Sequence, residues 1–341
     1  MTHRNVTALL TAALPLFAVD ERDRWSLFHS ISFDFSVWEL WGALASGATC
    51  VLVPDDAAAS PAALVDFLAR ERITVLSQVP SVFRSLVLAH EQAGAPPLPL
   101  RHVVFGGESV DLGVIGHFAA RMPTVRLVNM YGITETTVHA TFRELSPADL
   151  TGPVRSPIGM PLPHLSIDLR DEAGARVPDG QPGEMWVGGD GVAAGYLHRP
   201  DLTAERFVTV DGRRCYRSGD LARRLPDGAL EYLGRTDQQV KLRGFRIEPG
   251  EIEAVLRDHP QVRDAAVTVI TTPAGGQFLT ACVVATTDEL PDLRAHAART
   301  LPRHMVPQRY VSVPELPLTP SGKLDRAALT DLATAPRKDT P

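Results

Sequence analysis

The 341-residue sequence contains only three cysteines, at Cys50, Cys215 and Cys282. Their wide spacing fits neither a zinc site nor a disulfide framework and is typical of a reducing compartment, so we expect a cytoplasmic location. No apolar run reaches the roughly 20 residues that a membrane-spanning helix needs. The first residues do not form a signal-peptide pattern. We therefore expect no membrane partner.

An excess of basic residues is also missing. The 34 lysines and arginines are outnumbered by 40 aspartates and glutamates, so the formal net charge is −6. Sequence-independent binding to nucleic acid needs a basic face, and we therefore expect no nucleic-acid partner. Hydrophobic residues make up 44% of the chain and charged residues 22%, as in ordinary globular proteins. This length predicts two or three domains.

Strand and helix patterns alternate through residues 1–152. A helix is predicted from Ser60 and Pro61 to about Arg72, because serine is a good N-cap and proline suits the first helical position. The other elements predicted here are strands at 73–77, 102–105 and 125–128 and a helix at 80–89. This alternation predicts a parallel sheet covered by helices, with ligands bound beyond the carboxyl ends of its strands.

The rest of the chain has a different texture. Short strands between glycines and prolines predict a mostly antiparallel, β-rich subdomain at 153–234. Residues 235–332 predict a small α+β C-terminal domain, and residues 333–341 a disordered tail. The elements predicted after residue 152 are strands at 166–169, 183–187, 229–233, 265–270 and 279–285 and helices at 249–256 and 291–300. The predicted fold class is therefore α/β, with a β-rich subdomain and a small α+β domain.

Glycines, an aromatic and polar residues follow two of the predicted strands. Gly106-Gly107-Glu108 ends one strand, and the stretch YGITE, residues 131–135, ends the next. An aromatic face beside closely approaching backbone can sandwich a flat base, and a glutamate suits Mg²⁺. The alternatives are a core tyrosine and a helix start capped by Thr134. A helix start would also favour a bound anion.

Eight stretches with such residues occur in a fixed order. They are FDFSVWE at 33–39, GGE at 106–108, NMYGITE at 129–135, GEMWVGG at 183–189, YRSGDL at 216–221, GRTDQQVKLRGFRIE at 234–248, LPRHMVP at 301–307 and SGKLDR at 321–326. In this order they resemble the core motifs of the adenylate-forming superfamily, in particular the adenylation domains of nonribosomal peptide synthetases. The likeness runs from residue 1 to about residue 330.

The resemblance implies a site for ATP and Mg²⁺. Adenine would lie between Tyr131 and the Gly107-Glu108 backbone, and the Asn129 amide would read its edge. Thr134 would donate its hydroxyl to phosphate. The metal ligand implied by the resemblance is Glu135.

The resemblance also assigns the ribose and the reacting carboxylate. Asp220 would bind the ribose hydroxyls, with Tyr232 and Arg235 close by. Lys323 would be the catalytic residue that bridges the substrate carboxylate and the α-phosphate, where it neutralises growing charge. Without the other motifs, Asp220 is equally consistent with a turn aspartate and Lys323 with a solvated loop lysine.

Asp34 places a carboxylate in an otherwise apolar stretch, and a buried carboxylate needs a partner. The resemblance implies the α-ammonium group of an amino acid, and the alternative is a helix cap. The side-chain pocket implied by the family comprises Asp34, Phe35, Trp38, Ser77, Val104, Gly106, Met130, Val138, His139 and Lys323. This pattern is similar to the one associated with threonine, in which Ser77 or His139 would bind the β-hydroxyl. Serine or another β-hydroxy amino acid is the alternative substrate.

The resemblance further implies two half-reactions. After adenylation, the small domain would rotate about a hinge at Asp237 and bring Gly244 to a pantetheine channel, although Gly244 is equally consistent with a simple turn. The aminoacyl group would pass to the phosphopantetheine of a peptidyl carrier protein in trans, since no Gly-Gly-x-Ser attachment site follows Lys323. A small activating protein is a further candidate partner. The alternative functions are an acyl- or aryl-CoA ligase and an inactive remnant.

One family motif has no counterpart in the sequence. The Ser/Thr/Gly-rich loop that holds the β- and γ-phosphates would precede His3-Arg4-Asn5, together with the first part of the large domain. The explanations are a start codon placed too late, a remnant, or a separate polypeptide that supplies the missing part. A start codon placed too late predicts in-frame coding sequence for the phosphate loop directly upstream, and a stop codon there would contradict it.

Overall fold

The computed structural model describes residues 1–110, 112–152, 156–236, 239–242, 244–272, 276–287, 290–318 and 324–334. The chain forms two compact units, Met1–Asp237 and Gln238–Pro341. The finer division of the first unit at residue 152 stays a prediction. Among the described helices, none is both long and apolar enough to span a bilayer.

The first unit combines eight helices and twelve strands in its described part. Its helices are α1 (His3–Ala13), α2 (Phe35–Ala45), α3 (Asp55–Ala59), α4 (Pro61–Arg70), α5 (Pro80–Gln92), α6 (Leu112–Arg121), α7 (Pro147–Thr151) and α8 (Pro200–Arg206). Its strands are β1 (Arg24–Leu27), β2 (Thr49–Leu52), β3 (Val75–Gln78), β4 (His102–Phe105), β5 (Arg126–Asn129), β6 (Thr141–Glu144), β7 (Pro157–Pro161), β8 (Leu165–Arg170), β9 (Gly183–Gly189), β10 (Phe207–Val210), β11 (Arg213–Arg224) and β12 (Leu230–Arg235).

These strands form one continuous sheet in the order β2-β1-β3-β4-β5-β6-β7-β12-β11-β9-β8, with β10 beside β11. The first five strands in this order are parallel, and every later pairing is antiparallel. The predicted parallel sheet and the predicted β-rich region are therefore joined edge to edge. Motifs at the ends of β4 and β5 consequently face the residues of β11 and β12.

Side chains alternate across the parallel strands, so the sheet is buried on both faces. Val103 and Phe105 belong to a core that includes residues of α4, α5 and α6. Val104 belongs to the opposite core with Leu9 of α1 and Trp38 of α2. The face that includes Val104 also carries the predicted substrate pocket.

The second unit is a small α+β structure. Its strands are β13 (Val240–Leu242), β14 (Phe245–Ile247), β15 (Val262–Thr271), β16 (Gln277–Ala285) and β17 (Arg309–Ser312), and its helices are α9 (Pro249–Arg257), α10 (Leu293–Ala298) and α11 (Arg326–Thr334). β15 and β16 are antiparallel, and β17 adds parallel to β16. Apolar side chains are buried on both faces of this sheet.

The elements predicted from the sequence occur in the structure with shifted ends. Ser60 caps α4 by accepting a hydrogen bond from the Ala63 backbone N–H, as its position before Pro61 predicted. The predicted tail begins too early: Ala333 and Thr334 lie in α11, because Ala333 packs into the same core as Leu329. Residues 335–341 lie outside the described residues.

A buried carboxylate ties together the starts of three adjacent parallel strands. Asp23 precedes β1, Thr74 precedes β3 and Arg101 precedes β4. The Asp23 carboxylate accepts hydrogen bonds from Thr74 Oγ1 at 2.7 Å and from Arg101 Nη1 at 2.6 Å. Burial opposes ionisation of Asp23, but these hydrogen bonds outweigh it and hold its pKa below the usual value.

We predict that Asp23→Asn lowers the free energy of unfolding of the first unit by about 2 kcal/mol at pH 7, the usual scale for a hydrogen bond to a charged group. Because the folded pKa is depressed, the contribution is present above the unfolded pKa of about 4 and disappears as the pH falls below it. The four tryptophans all precede residue 237, so their fluorescence during urea unfolding monitors this unit alone.

The control is Asp20→Asn, which removes an exposed pairing with Arg22. It should shift the urea midpoint much less than Asp23→Asn. Equal midpoints for Asp23→Asn and the unmodified chain at pH 7 would contradict the role given to Asp23.

Candidate active site

The segment after β5 is bent sharply back on itself. Gly132 lies so close to the returning chain that a Cβ there would be 2.0 Å from the Val138 carbonyl oxygen. Thr137 and Val138 have φ values of +63° and +64°. This left-handed region is costly for β-branched residues. A 2.7 Å hydrogen bond, which Thr137 Oγ1 donates to the Gly191 carbonyl, helps to stabilise this strained conformation.

The alternative of a helix start capped by Thr134 is wrong. Thr134–Thr136 is a single 3₁₀ turn without a side-chain cap. The turn is too short to act as a helical anion site. The Thr134 hydroxyl instead donates a 2.6 Å hydrogen bond to Asp34 Oδ2.

Asp34 precedes α2, but its side chain makes no capping hydrogen bond, so the alternative of a helix cap is wrong. The carboxylate is half-buried, and no ion pair joins it to any described residue. Burial raises the pKa of the Asp34 carboxyl; the Thr134 hydrogen bond opposes this rise, and the negative charge of Glu135 adds to it. A bound cation would remove the cost of ionising Asp34.

Three of the residues predicted for the nucleotide site converge on Asp220. The Tyr131 hydroxyl donates to Asp220 Oδ2 at 2.6 Å, and the Tyr232 hydroxyl to Oδ1 at 3.4 Å. Arg235 Nη1 donates to Oδ1 at 2.7 Å. Asp220 is fully buried within β11 rather than in a turn, so the alternative of a turn aspartate is wrong. Burial, followed by the Asp220 charge, raises the pKa of Tyr131 well above its usual value.

Two tyrosines that the sequence analysis did not select hold Glu135. The Tyr196 hydroxyl donates to Glu135 Oε1 at 2.6 Å, and the Tyr216 hydroxyl lies 3.0 Å from the same oxygen. The two hydroxyls are 2.9 Å apart. Position along a strand could have identified Tyr216, because residues four apart on a strand lie on the same face and Tyr216 is four residues before Asp220.

The residues predicted to bind adenine have other partners in this structure. The Asn129 amide nitrogen donates to the Pro157 carbonyl at 2.8 Å. Gly107 has a φ of +80°, which a glycine accommodates without strain. The Glu108 carboxylate accepts a 2.9 Å hydrogen bond from the Ser81 backbone N–H in the first turn of α5. The Tyr131 ring is buried, and its centroid is 6.0 Å from that of Tyr232.

The predicted substrate pocket residues of the first unit lie close together. Ser77 on β3 is the register partner of Val104 on β4. His139 packs edge-on against Phe35 at 5.2 Å and against Trp38 at 5.5 Å between ring centroids. The buried apolar members of the set, which share one core, are Phe35, Trp38, Val104, Met130 and Val138.

Gly106 completes this wall. A Cβ at this position would lie 3.3 Å from the Met130 carbonyl oxygen and 3.4 Å from the Phe35 ring. A larger residue would therefore crowd the backbone after β5 and the first residue of α2.

Polar atoms are buried inside this apolar group. In the part of the chain that the structure describes, Ser77 Oγ and Trp38 Nε1 have no hydrogen-bond partner, and the ring nitrogens of His139 have none of good geometry, although the Met130 backbone acts on the imidazole as an acceptor. Burial lowers the pKa of His139 to about 3, so the imidazole is neutral near pH 7. Buried polar groups are normally hydrogen-bonded, so these atoms favour a ligand that carries a polar group into the pocket.

Three predicted site residues are not brought together with these groups. Asp237 and Lys323 lie outside the described residues. Gly244 belongs to the second unit, where it lies in the turn between β13 and β14 with a φ of +81°. Its conformation therefore fits the turn alternative, and its role at a pantetheine channel stays a prediction.

The donor set around Glu135 suits a metal ion that arrives with a nucleotide. Among the described residues, no cluster of three or more histidine, cysteine, aspartate or glutamate side chains is arranged to hold a metal. Mg²⁺ in nucleotide sites is usually held by one or two carboxylates plus phosphate oxygens. Glu135, with the exposed Thr134 beside it, meets this requirement.

Comparison with known families gives two matches along the chain. Residues 1–197 match the model of the AMP-binding enzymes, and residues 251–323 match the C-terminal domain of AMP-binding enzymes. A dimodular nonribosomal peptide synthase of Bacillus subtilis is 47% identical over 337 residues, which cover 96% of this chain. The chain spans only 14% of that relative.

Solved structures share the fold. PA1221, a nonribosomal peptide synthetase protein with adenylation and carrier domains, is 31% identical with a TM-score of 0.83; the match covers 95% of this chain and 56% of PA1221. The Vibrio cholerae adenylation domain AlmE, in complex with glycyl-adenosine-5'-phosphate, is 28% identical with a TM-score of 0.84; the match covers 97% of this chain and 62% of AlmE. The predicted fold class is confirmed.

We predict that Gly132→Ala destabilises the first unit by about 2–3 kcal/mol, because its Cβ meets backbone rather than a movable side chain. Urea unfolding followed by tryptophan fluorescence measures the change. The matched control is Gly116→Ala in α6 of the same unit, where a Cβ makes only ordinary contact with Leu150 at 3.7 Å and alanine is the better helix former. A Gly132→Ala protein as stable as the unmodified chain would show that the bend is not constrained.

Proposed function

The chain belongs to the AMP-binding enzymes as an adenylation domain of the nonribosomal peptide synthetase type, and we propose that it activates an amino acid, most favourably L-threonine, as its aminoacyl-adenylate. The observation that carries this proposal is the group of buried polar atoms beside Asp34. Apolar walls surround these atoms, and a β-hydroxy amino acid supplies the groups that they require.

The α-ammonium group of the amino acid is proposed to form an ion pair with the Asp34 carboxylate. This carboxylate has a raised pKa and lies near the negative charge of Glu135. An ammonium ion in contact with Asp34 stabilises the ionised carboxylate. Aryl and fatty acids carry no such cation, so Asp34 favours an amino acid over those substrates.

The side chain of threonine fits the rest of the pocket. Its hydroxyl has hydrogen-bonding groups available at Ser77 and His139, and its methyl group matches Val104 and Val138. Because His139 is neutral, the imidazole can donate or accept without adding charge. A pocket that hydrogen-bonds a hydroxyl rejects an analogue without it far more strongly than an apolar pocket rejects one methylene.

The nucleotide is assigned to the wall formed by Tyr131, Asp220, Tyr232 and Arg235. The adenosine 5'-phosphate ester in the AlmE complex supports this type of ligand. Asp220 would bind the ribose hydroxyls, which have to compete with the Tyr131 and Tyr232 hydroxyls for its oxygens. Glu135 would hold Mg²⁺, which neutralises phosphate charge when bound.

The proposed reaction needs no general base, since an amino-acid carboxylate is already ionised at pH 7. One carboxylate oxygen forms a bond to the α-phosphorus of ATP, and the bond from that phosphorus to the bridging oxygen breaks. Pyrophosphate leaves with the bonding electron pair. Lys323 is proposed to stabilise the charge of this step. The pantetheine sulfur of a carrier protein then forms a bond to the acyl carbon, and the bond from that carbon to the phosphate oxygen breaks. AMP leaves with the bonding electron pair, and the thiol proton passes to solvent.

The direct test is amino-acid-dependent exchange of labelled pyrophosphate into ATP by the 341-residue chain, with threonine, serine and valine compared. We expect exchange with threonine above serine, and valine about 5- to 150-fold below threonine, since leaving a buried polar group unpaired costs about 1–3 kcal/mol. Valine equal to threonine would contradict the pocket assignment. A product that requires CoA would favour the CoA-ligase alternative.

Two variants separate the parts of this proposal. Asp34→Asn should lower kcat/KM for threonine at least about thirtyfold, because one partner of a buried charge pair is lost. Ser77→Ala should reduce the preference for threonine over valine, while the proposed contact between Asp34 and the ammonium group is kept. A folded chain without exchange for any amino acid would contradict the proposed activity of this polypeptide and leave its family membership unchanged.

A further inference from the structure

We propose that Tyr196 and Tyr216 are positioning residues that hold the Glu135 carboxylate in place as the metal ligand of the nucleotide site. This inference rests on the proposed function, because Glu135 is assigned to the metal there. The tyrosines come from two separate parts of the chain, the loop before α8 and strand β11. They meet at one carboxylate oxygen.

The three groups form a closed hydrogen-bonded triangle. Glu135 Oε1 is 2.6 Å from the Tyr196 hydroxyl and 3.0 Å from the Tyr216 hydroxyl, and the hydroxyls are 2.9 Å apart. Each hydroxyl has one proton. Either both hydroxyls donate to Glu135, or one of them donates to Glu135 and accepts a hydrogen bond from the other. In each of these arrangements the Glu135 carboxylate is held at the same oxygen, Oε1.

The tyrosine rings are fixed by packing. Tyr216 is fully buried, and its ring centroid is 4.8 Å from that of Phe207. The Tyr196 ring packs edge-on against the other side of this cluster, 5.5 Å from Phe207. The Tyr196 backbone N–H donates to Thr203 Oγ1 at 2.9 Å. Rigid donors orient a carboxylate more effectively than flexible ones.

The backbone of Glu135 is held by the same part of the fold. Its carbonyl accepts a 2.8 Å hydrogen bond from the Ala193 backbone N–H, in the loop that leads to Tyr196. Main chain and side chain of Glu135 are therefore both tied to the segment 193–196. This leaves the residue little freedom to change its rotamer.

The choice of phenols suits a metal ligand. An arginine or lysine in the same place would pair with Glu135 and cancel the charge that attracts Mg²⁺. A neutral hydroxyl satisfies one oxygen and leaves the negative charge in place. Partners of this kind orient metal ligands, and their removal usually lowers metal affinity 10- to 100-fold.

Strand β11 extends the effect to the neighbouring site. Tyr216 and Asp220 lie four residues apart on this strand. Asp220 in turn accepts the hydrogen bond of Tyr131, four residues before Glu135. Strand β11 therefore fixes the positions of both proposed ligand groups: it carries Asp220, and its Tyr216 contacts Glu135. A shift of Glu135 would change its distance from the nucleotide phosphates.

The test is the binding of Mn²⁺, a paramagnetic substitute for Mg²⁺, to the 341-residue chain in the presence of ATP, measured by electron paramagnetic resonance. We expect Tyr196→Phe, Tyr216→Phe and the double variant to raise the apparent Kd for Mn²⁺ about 10- to 100-fold. ATP affinity without metal should change much less. Circular dichroism establishes that each variant is folded, and the half-buried Tyr196 gives a usable variant if Tyr216→Phe does not fold.

Two further proteins make the result specific. Tyr310→Phe in the second unit removes a buried hydroxyl that has no partner among the described residues, and it should leave Mn²⁺ binding unchanged. In Glu135→Gln, adding Tyr196→Phe should cause no additional loss, because the tyrosine acts through the carboxylate.

The outcomes distinguish this inference from the proposed function. Normal Mn²⁺ binding by Glu135→Gln, or no binding by the unmodified chain, would overturn the metal site itself. Loss in Glu135→Gln with normal binding in both tyrosine variants would overturn only the positioning role. If Tyr196→Phe weakens Mn²⁺ binding by the same factor in the Glu135→Gln background as in the unmodified chain, the tyrosine does not act through Glu135 and its role is merely structural.

Discussion

Two tyrosine–carboxylate hydrogen bonds hold the segment after β5 against strand β11. The segment supplies the tyrosine in one of them and the carboxylate in the other. Tyr131 donates to Asp220, and Tyr216 donates toward Glu135. In each pair the partners are separated by at least 81 positions in the sequence. The rest of the site depends on this docking, because it joins the parallel half of the sheet to the antiparallel half at the place where the candidate ligand groups lie. Burying Asp220 completely is tolerated only because Tyr131, Tyr232 and Arg235 all donate to it.

The same docking explains the strained backbone that follows. The chain turns back at Gly132 and passes through left-handed Thr137 and Val138 before β6. That path places Val138 and His139 against the helix that begins at Phe35. Strain of this kind persists only where surrounding contacts over-determine the conformation. One short segment thereby supplies a wall for the proposed nucleotide site and a wall for the proposed amino-acid pocket.

Local sequence patterns were sufficient for strands such as β4 and for the cap of α4, because apolar runs and capping residues act within a few positions. They were not sufficient at residues 134–138, where a helix start was one of the alternatives and a 3₁₀ turn occurs at Thr134–Thr136. Contacts with Asp34 and Gly191, 100 and 54 positions away, decide that conformation. The roles of Tyr196 and Tyr216 were missed for the same reason. Tyr196 lies in a glycine-rich loop and carries no local sign of its partner. Tyr216 belongs to the quoted stretch YRSGDL, but the resemblance assigned a role in that stretch to Asp220 alone.

In the proposed complex, the segment from Asn129 to His139 separates two parts of a single ligand, with the nucleotide toward Asp220 and the amino acid toward Asp34. The most direct measurement is a crystal structure of the chain with a non-hydrolysable threonyl-adenylate analogue. We expect the ribose at Asp220, the ammonium group at Asp34 and the threonine hydroxyl within hydrogen-bonding distance of Ser77 or His139. An analogue bound with its ammonium group away from Asp34, or with its adenosine away from Tyr131 and Asp220, would contradict this arrangement.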